Sequence, residues 1–327
     1  MKIKSLVIEN FKSIERIELI EPNPFTVFVG PNGSGKSNIF EALEFVNLQE
    51  RMGGITGSLF GGPENFLRRH NTASKFTVHF DSDVSGFERG YYINILQHST
   101  NETAHLQEFG YINNSLTQSD YVAKNPFYNF SRLFVGKDEQ QKLNFKDDNR
   151  LTFAADNLEL VLKRILSNSI LRNELFEWLE LFVPEFKAVE IDDRNELHWF
   201  EQFSSSHFTK SLISDGTFNI LALLTAVYQS DDKPQFLCIE EPENGLHPQV
   251  AAELVDFFRI MCEERGHYIW LNTHSQSMAS RVRPNEFVVV EKKEGATTVR
   301  QFRNEDFHGM SVDEAWLTNA LNGGLAW

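Results

Sequence analysis

The chain has 327 residues, 41% of them hydrophobic and 24% charged, and a formal net charge of -15. That length holds one large α/β domain or two ordinary ones, and the acidity argues against a surface that grips nucleic acid throughout, since phosphate contacts need clustered Lys and Arg. No run approaches the ~18 apolar residues of a membrane span, no signal-peptide pattern opens the chain, and Cys238 and Cys262 are too few for a disulfide framework; a cytoplasmic protein with reduced core thiols is expected.

In chain order, Ile3 to Phe11 and Ile17 to Ile20 read as strands, and Phe25 to Val29 as a third. That strand opens into Gly30-Pro-Asn-Gly-Ser-Gly35-Lys36-Ser37, and Asn38 to Val46 follows with helical spacing. Strand, glycine-rich loop and helix together are the context a phosphate-binding P-loop requires. Its glycines let consecutive N–H groups turn toward an anion at a helix N-terminus. Lys36 would reach the terminal phosphates of a nucleoside triphosphate, and Ser37 would offer its hydroxyl to Mg²⁺.

Met52 to Pro63 is glycine-rich and reads as a loop. Lys75 to Phe80 and Tyr91 to Leu96 alternate in polarity and are expected to pair antiparallel. From about 98 to 150 the chain is polar, and short strands and loops are expected. Asn157 to Val183 has mixed three- and four-residue apolar spacing and reads as helix. A second α/β region runs from about 211 to 300, with strands at Phe236 to Ile239, Tyr268 to Leu271 and Phe287 to Val290. The predicted organisation is one discontinuous core, 1–50 and 211–300, closing into a single sheet around an inserted β and helical lobe at about 70–210. The segment 301–327 places Val312, Trp316 and Leu317 at helical spacing and either docks a partner or packs back on its own domain.

The second α/β region carries three further motifs. The strand before Glu240-Glu241-Pro-Glu-Asn-Gly-Leu-His-Pro248 ends in two acids: one carboxylate can hold Mg²⁺, and the other can orient or deprotonate an attacking water. Tyr268-Ile-Trp-Leu-Asn-Thr-His274 ends a strand in an imidazole able to donate toward a γ-phosphate. Ser214-Asp-Gly216-Thr217 stands just before a helix, where a hydroxyl and glycine N–H groups make a second anion site.

These motifs, in this order, resemble the ABC-type ATPase heads of the chromosome-maintenance, RecF-like and overcoming-lysogenization-defect (OLD) group, and in flavour the small ATPases of bacterial anti-phage defence operons. Residues 30–37 match Walker A, Ile213 to Thr217 the signature, Glu240 to Pro248 Walker B with its D-loop, and Thr273-His-Ser275 the switch histidine; Ile8-Glu-Asn-Phe-Lys-Ser-Ile14 resembles the opening strand. The resemblance implies a P-loop NTPase fold, an ABC-ATPase head with a mixed β core, an antiparallel β lobe and an inserted helical lobe. It implies ATP and Mg²⁺ as cofactors, with Gly30, Asn32, Gly33, Ser34, Gly35, Lys36, Ser37 and Asn38 around the nucleotide and Ser37 and Glu240 at the metal. Glu241, His274 and Lys36 become the catalytic groups. Head-to-head dimerisation would bring Ser214 and Gly216 across to a second copy's nucleotide. Glu240 departs from the usual Asp, being one methylene longer. Gln140 and Gln141 are both candidates for the Q-loop glutamine.

OLD nucleases carry a TOPRIM nuclease domain after the ATPase, and too little sequence follows His274 for one. Asp81-Ser-Asp83 reads as a turn rather than a metal site, and His70, His79, His98 and His105 lack a metal-ligand pattern. No coiled coil separates the halves. The expectation is therefore an ATPase that regulates a separately encoded nuclease or toxin, as a homodimer or higher homo-oligomer. The alternatives are a RecF-like repair clamp acting directly on DNA, for which Arg68-Arg69-His70 and the pair Arg281 and Arg283 are local basic patches, and a slow ATP-gated scaffold.

Overall fold

The computed structural model describes residues 2–52, 56–68, 75–82, 87–96, 103–112, 129–137 and 149–321. The strands are β1 (Ile3–Phe11), β2 (Ile14–Ile20), β3 (Phe25–Val29), β4 (Lys75–Ser82), β5 (Phe87–Leu96), β6 (Thr103–Ile112) and β7 (Phe130–Leu133). They continue as β8 (Phe186–Ile191), β9 (Leu197–Glu201), β10 (Phe208–Thr209), β11 (Phe236–Glu240), β12 (Tyr268–Asn272), β13 (Phe287–Lys293) and β14 (Ala296–Gln301). Eleven of these form one sheet in the order β6-β5-β4-β1-β2-β14-β13-β3-β12-β11-β7, and β10-β9-β8 form a second, antiparallel one.

Burial explains the two characters of the large sheet. Every residue of β3, β11 and β12 is buried, and these strands pair in parallel with one another and with β13 and β7. Parallel strands covered on both faces read as continuous apolar runs, which is how these segments appear in the sequence. β2 instead alternates buried and exposed residues and pairs antiparallel with β1, leaving one face wet. β4 and β5 pair antiparallel as expected.

The period of two splits the core between the faces. Phe25, Val27 and Val29 of β3, with Leu237, Ile239, Ile269 and Leu271, meet the helices Leu158–Ser167, Ser169–Phe182, Asp215–Tyr228 and Pro248–Arg265. On the other face Phe28, Phe236, Cys238 and Trp270 meet Ile39, Phe40 and Leu43 of α1 (Lys36–Met52). Cys238 and Cys262 are free and buried.

Two features differ from the sequence-based expectation. The stretch 157–183 is two helices, because Asn168 takes an extended backbone and its side-chain oxygen accepts from the N–H groups of Ile170 and Leu171, capping the second helix. The segment at about 70–210, expected as an inserted lobe, contributes β4, β5, β6 and β7 to the same sheet as β3. Among them β7 extends the parallel core beside β11, where Phe130 stacks on Phe236 with centroids 5.8 Å apart. Phe302, Phe307, Val312, Ala315 and Leu321 are buried in the main core, so residues 302–321 pack back on their own domain, one of the two outcomes expected for this segment. Gln140, Gln141, His70, His98, Arg69 and Asp83 lie outside the described residues.

Candidate functional site

β3 delivers the chain to the glycine loop, and the packing around that loop explains its composition. A Cβ on Gly35 would stand 2.1 Å from Thr297 Oγ1 and 2.8 Å from Ser13 Oγ, so any side chain there collides with the two segments that brace the loop. Those braces are polar. Thr297 Oγ1 donates to Ser34 O (2.8 Å), Asn38 Nδ2 donates to Ser13 Oγ (2.7 Å), and the two hydroxyls of Ser13 and Thr297 lie 2.6 Å apart. The loop is thus held from the β1–β2 turn and from β14. Gly30 and Gly33 also have positive φ; Asn32 and Gly33 face solvent, while the Ser34 hydroxyl is buried with no hydrogen-bond partner among the described residues. An orphaned hydroxyl in this position fits a loop that receives an anion.

Lys36 folds back over the loop, its Nζ donating to the carbonyls of Gly30 (2.8 Å) and Pro31 (3.2 Å). Burial pushes its pKa down to about 8 against the opposing pull of Glu241, Glu240 and Glu243. Ser37 Oγ donates to Glu240 Oε2 at 2.6 Å, which joins the two residues expected to hold Mg²⁺ across 203 residues of sequence. Glu240 is 4% exposed.

Arg132, which the sequence reading passed over, sits against this carboxylate. Its Nε donates to Glu240 Oε1 (2.6 Å), its Nη2 pairs with the same oxygen, and its Nη1 donates to Glu44 Oε2 (2.9 Å).

The residue after Glu240 turns sharply. Glu241 has φ 45°, and its N–H donates to both the backbone oxygen (2.9 Å) and the side-chain oxygen (3.1 Å) of Asn272 at the end of β12. Asn272 therefore fixes the turn that points Glu241 away from the strand. Glu243 accepts from the backbone N–H of His274 at 2.9 Å, tying the acid loop to the end of β12. Burial raises the Glu243 carboxyl above the usual range, while desolvation and the charge of Lys36 hold the His274 imidazole below its ordinary value. Lys36, Ser37, Glu240, Glu241 and His274 thus converge from β3, β11 and β12 at one end of the sheet.

Ser214 and Gly216 are placed differently. Ser214 caps the helix Asp215–Tyr228, accepting from Thr217 N–H at 3.1 Å, and is exposed. A Cβ on Gly216 would stand 2.5 Å from Gly245 O, so this glycine lets the loop after Glu243 lie against the helix start. Asn219, one turn on, donates to Pro242 O (3.1 Å) and Asn244 O (2.7 Å) and pins that loop.

A family model described as "AAA domain, putative AbiEii toxin, Type IV TA system" matches residues 25–278, from β3 through the switch histidine. The chain belongs to this family. It is an ABC-type ATPase domain with a bound set of relatives: it is 25% identical to the OLD nuclease of Thermus scotoductus over 93% of this chain and 65% of that protein. It is 50% identical to structural maintenance of chromosomes protein 1 of Arabidopsis thaliana over 17% of this chain and 5% of that one. The chain therefore spans less than two thirds of these relatives. The fold matches that of an Smc head solved bound to the C-winged helix domain of ScpA, with a TM-score of 0.64 at 16% identity over 94% of this chain and 99% of the other. The family member described here has a P-loop ABC-ATPase head fold.

The residues missed from sequence share one property. Arg132, Asn219, Asn272 and Thr297 act through partners 23 to 263 residues away, counted along the hydrogen bonds they make. Only Glu243 could have been found, because it stands inside the Walker B segment as a third acid.

Proposed function

We propose that this chain binds ATP with Mg²⁺, hydrolyses it in a head-to-head pair of copies, and by doing so governs a separately encoded nuclease or toxin. The observation that carries the reading is the hydrogen bond between Ser37 and Glu240, flanked by Glu241 and His274 at the mouth of the glycine loop. A hydroxyl and a carboxylate within 2.6 Å offer the hard oxygen donors that Mg²⁺ prefers, so the residues fit that ion. When bound, Mg²⁺ would neutralise charge developing on the phosphate oxygens.

The remaining roles belong to the protein. Lys36 exchanges the carbonyls of Gly30 and Pro31 for phosphate oxygens. Glu241, held off its strand by Asn272, orients the water in line with the γ-phosphorus. His274 donates toward the γ-phosphate, and its lowered pKa suits a neutral imidazole. Ser214, exposed at a helix start, is free to approach a second copy's nucleotide.

The family description names a toxin system, which suits a regulatory role for an ATPase head. Direct DNA binding is not favoured, because Arg68, Arg281 and Arg283 are paired with Glu15, Asp256 and Glu263. No described helix is long and apolar enough to cross a membrane. The test is to tag the chain, express it with its flanking genes, and identify what co-purifies with and without ATP. A stoichiometric nuclease or toxin is expected; a lone dimer that retains DNA would replace this reading with a repair clamp.

A further inference from the structure

We infer that Arg132 is a positioning residue for the metal site: by holding one oxygen of Glu240, it keeps the other turned to Ser37 and so sets the affinity for Mg²⁺ with nucleotide. The inference rests on the ATPase reading above and adds a residue outside every motif that reading uses.

Arg132 lies on β7, directly opposite Cys238 in the parallel pairing with β11, so its side chain shares a sheet face with Cys238 and Glu240. It is 7% exposed. A buried guanidinium persists only when its donors are satisfied, and this one has three carboxylates: Glu240, Glu44 at 2.9 Å and Glu41 at 3.5 Å. It also lies over the ring of Phe153, 4.7 Å from the centroid. Glu41 and Glu44 stand on α1, one and two turns after Ser37, so the guanidinium ties β7, β11 and the P-loop helix together.

The two oxygens of Glu240 are divided. Oε1 takes both contacts from Arg132, and Oε2 takes the Ser37 hydroxyl at 2.6 Å. A glutamate has one more rotatable bond than the aspartate usual here, and that freedom must be removed for a carboxylate to act as a fixed ligand. The planar fork of arginine removes it; a lysine would offer a single mobile charge instead. Glu41, Glu44 and Glu240 all face Arg132, and Glu41 also pairs with Lys12. Without Arg132, three crowded carboxylates would repel one another and Glu240 would lose its orientation.

A purely architectural role, holding β7 to α1, would weaken nucleotide binding equally with and without metal. The experiment therefore measures the affinity of the full chain for a fluorescent ATP analogue in EDTA and across a Mg²⁺ titration, for wild type and Arg132→Lys, with thermal unfolding recorded for both. The expected result is an affinity in EDTA within about twofold of wild type and a Mg²⁺ midpoint raised at least about tenfold, the scale seen when a group that orients a metal ligand is lost. An undiminished Mg²⁺ response in Arg132→Lys overturns the inference alone. A wild type whose nucleotide binding ignores Mg²⁺ overturns it together with the ATPase reading. If Arg132→Lys does not fold, Glu44→Gln loosens the same clamp from its far side. It should shift the Mg²⁺ midpoint in the same direction by a smaller factor, and no shift would again contradict the inference.

Discussion

Glu241 carries a left-handed backbone at φ 45°, a conformation that costs a non-glycine residue about 1–3 kcal/mol. The two hydrogen bonds from its N–H to Asn272 offset that cost and explain why an acid, not a glycine, can stand there. Side chains of this kind are only half legible in sequence. Lys36, Ser37, Glu240 and His274 stand out in the sequence because their spacing follows from the chemistry of phosphate binding. Arg132 and Asn272 do not, because nothing local marks an arginine that will be buried by carboxylates or an asparagine that will brace a turn. His267, fully buried just before β12, shows the other side of burial at this scale. Desolvation and the charge of Arg265 push its pKa down to about 4, while the unfolded chain titrates near 6.5. Below pH 6.5 the unfolded state binds a proton that the folded state refuses, so the stability this residue contributes at neutral pH is lost as pH falls toward 4. Between pH 7 and pH 5 the loss should be about 2 kcal/mol. Urea unfolding at both pH values should show it in wild type and not in His267→Phe; equal pH dependence in the two would assign it elsewhere.

At the scale of elements, strands buried on both faces were readable and an edge strand was not. β3, β11 and β12 are buried throughout, and apolar but for Thr26, Glu240 and Asn272, because helices cover both sides. β7 is only Phe-Ser-Arg-Leu, and its partner strand lies about a hundred residues on, so neither composition nor a nearby turn announces it. The break at Asn168 was missed for a related reason: the apolar spacing continues across it, and only the cap geometry ends the first helix. The signature helix and the D-loop form the tightest junction between elements. Gly216 admits the carbonyl of Gly245, and Asn219 holds the carbonyls on either side of Glu243. Gly216→Ala would place a methyl 2.5 Å from that carbonyl, so the loop must move. We expect a folded protein destabilised by about 1–3 kcal/mol, as for other overpacked sites, with ATP turnover reduced at least about tenfold. Turnover at the wild-type rate would show that the D-loop and the helix need not move together.

For the whole molecule, the order of the sheet is what makes a site from distant segments. β3, near the start of the chain, lies between β12 and β13, which come more than 240 residues later, so the P-loop faces the acids and the histidine only once the sheet is complete. This closure was legible because three motifs with one chemical purpose stood at opposite ends of the sequence. The joining of β4, β5 and β6 to the same sheet through β1 was not, since hairpins carry no signal for the edge they extend. Residues 302–321, packed into the main core, show that the C-terminal part described here serves the head itself.

The measurement that bears most directly on the account is steady-state ATP turnover with Mg²⁺, comparing wild type with Glu241→Gln. The exchange keeps the size and the backbone turn at Asn272 but removes the charge proposed to orient the water. Turnover should fall at least about 100-fold while affinity for ATP changes by less than about threefold, the pattern of a group that acts only in the transition state. Equal turnover in the two proteins would contradict Glu241 as the catalytic carboxylate and, with it, hydrolysis at this site.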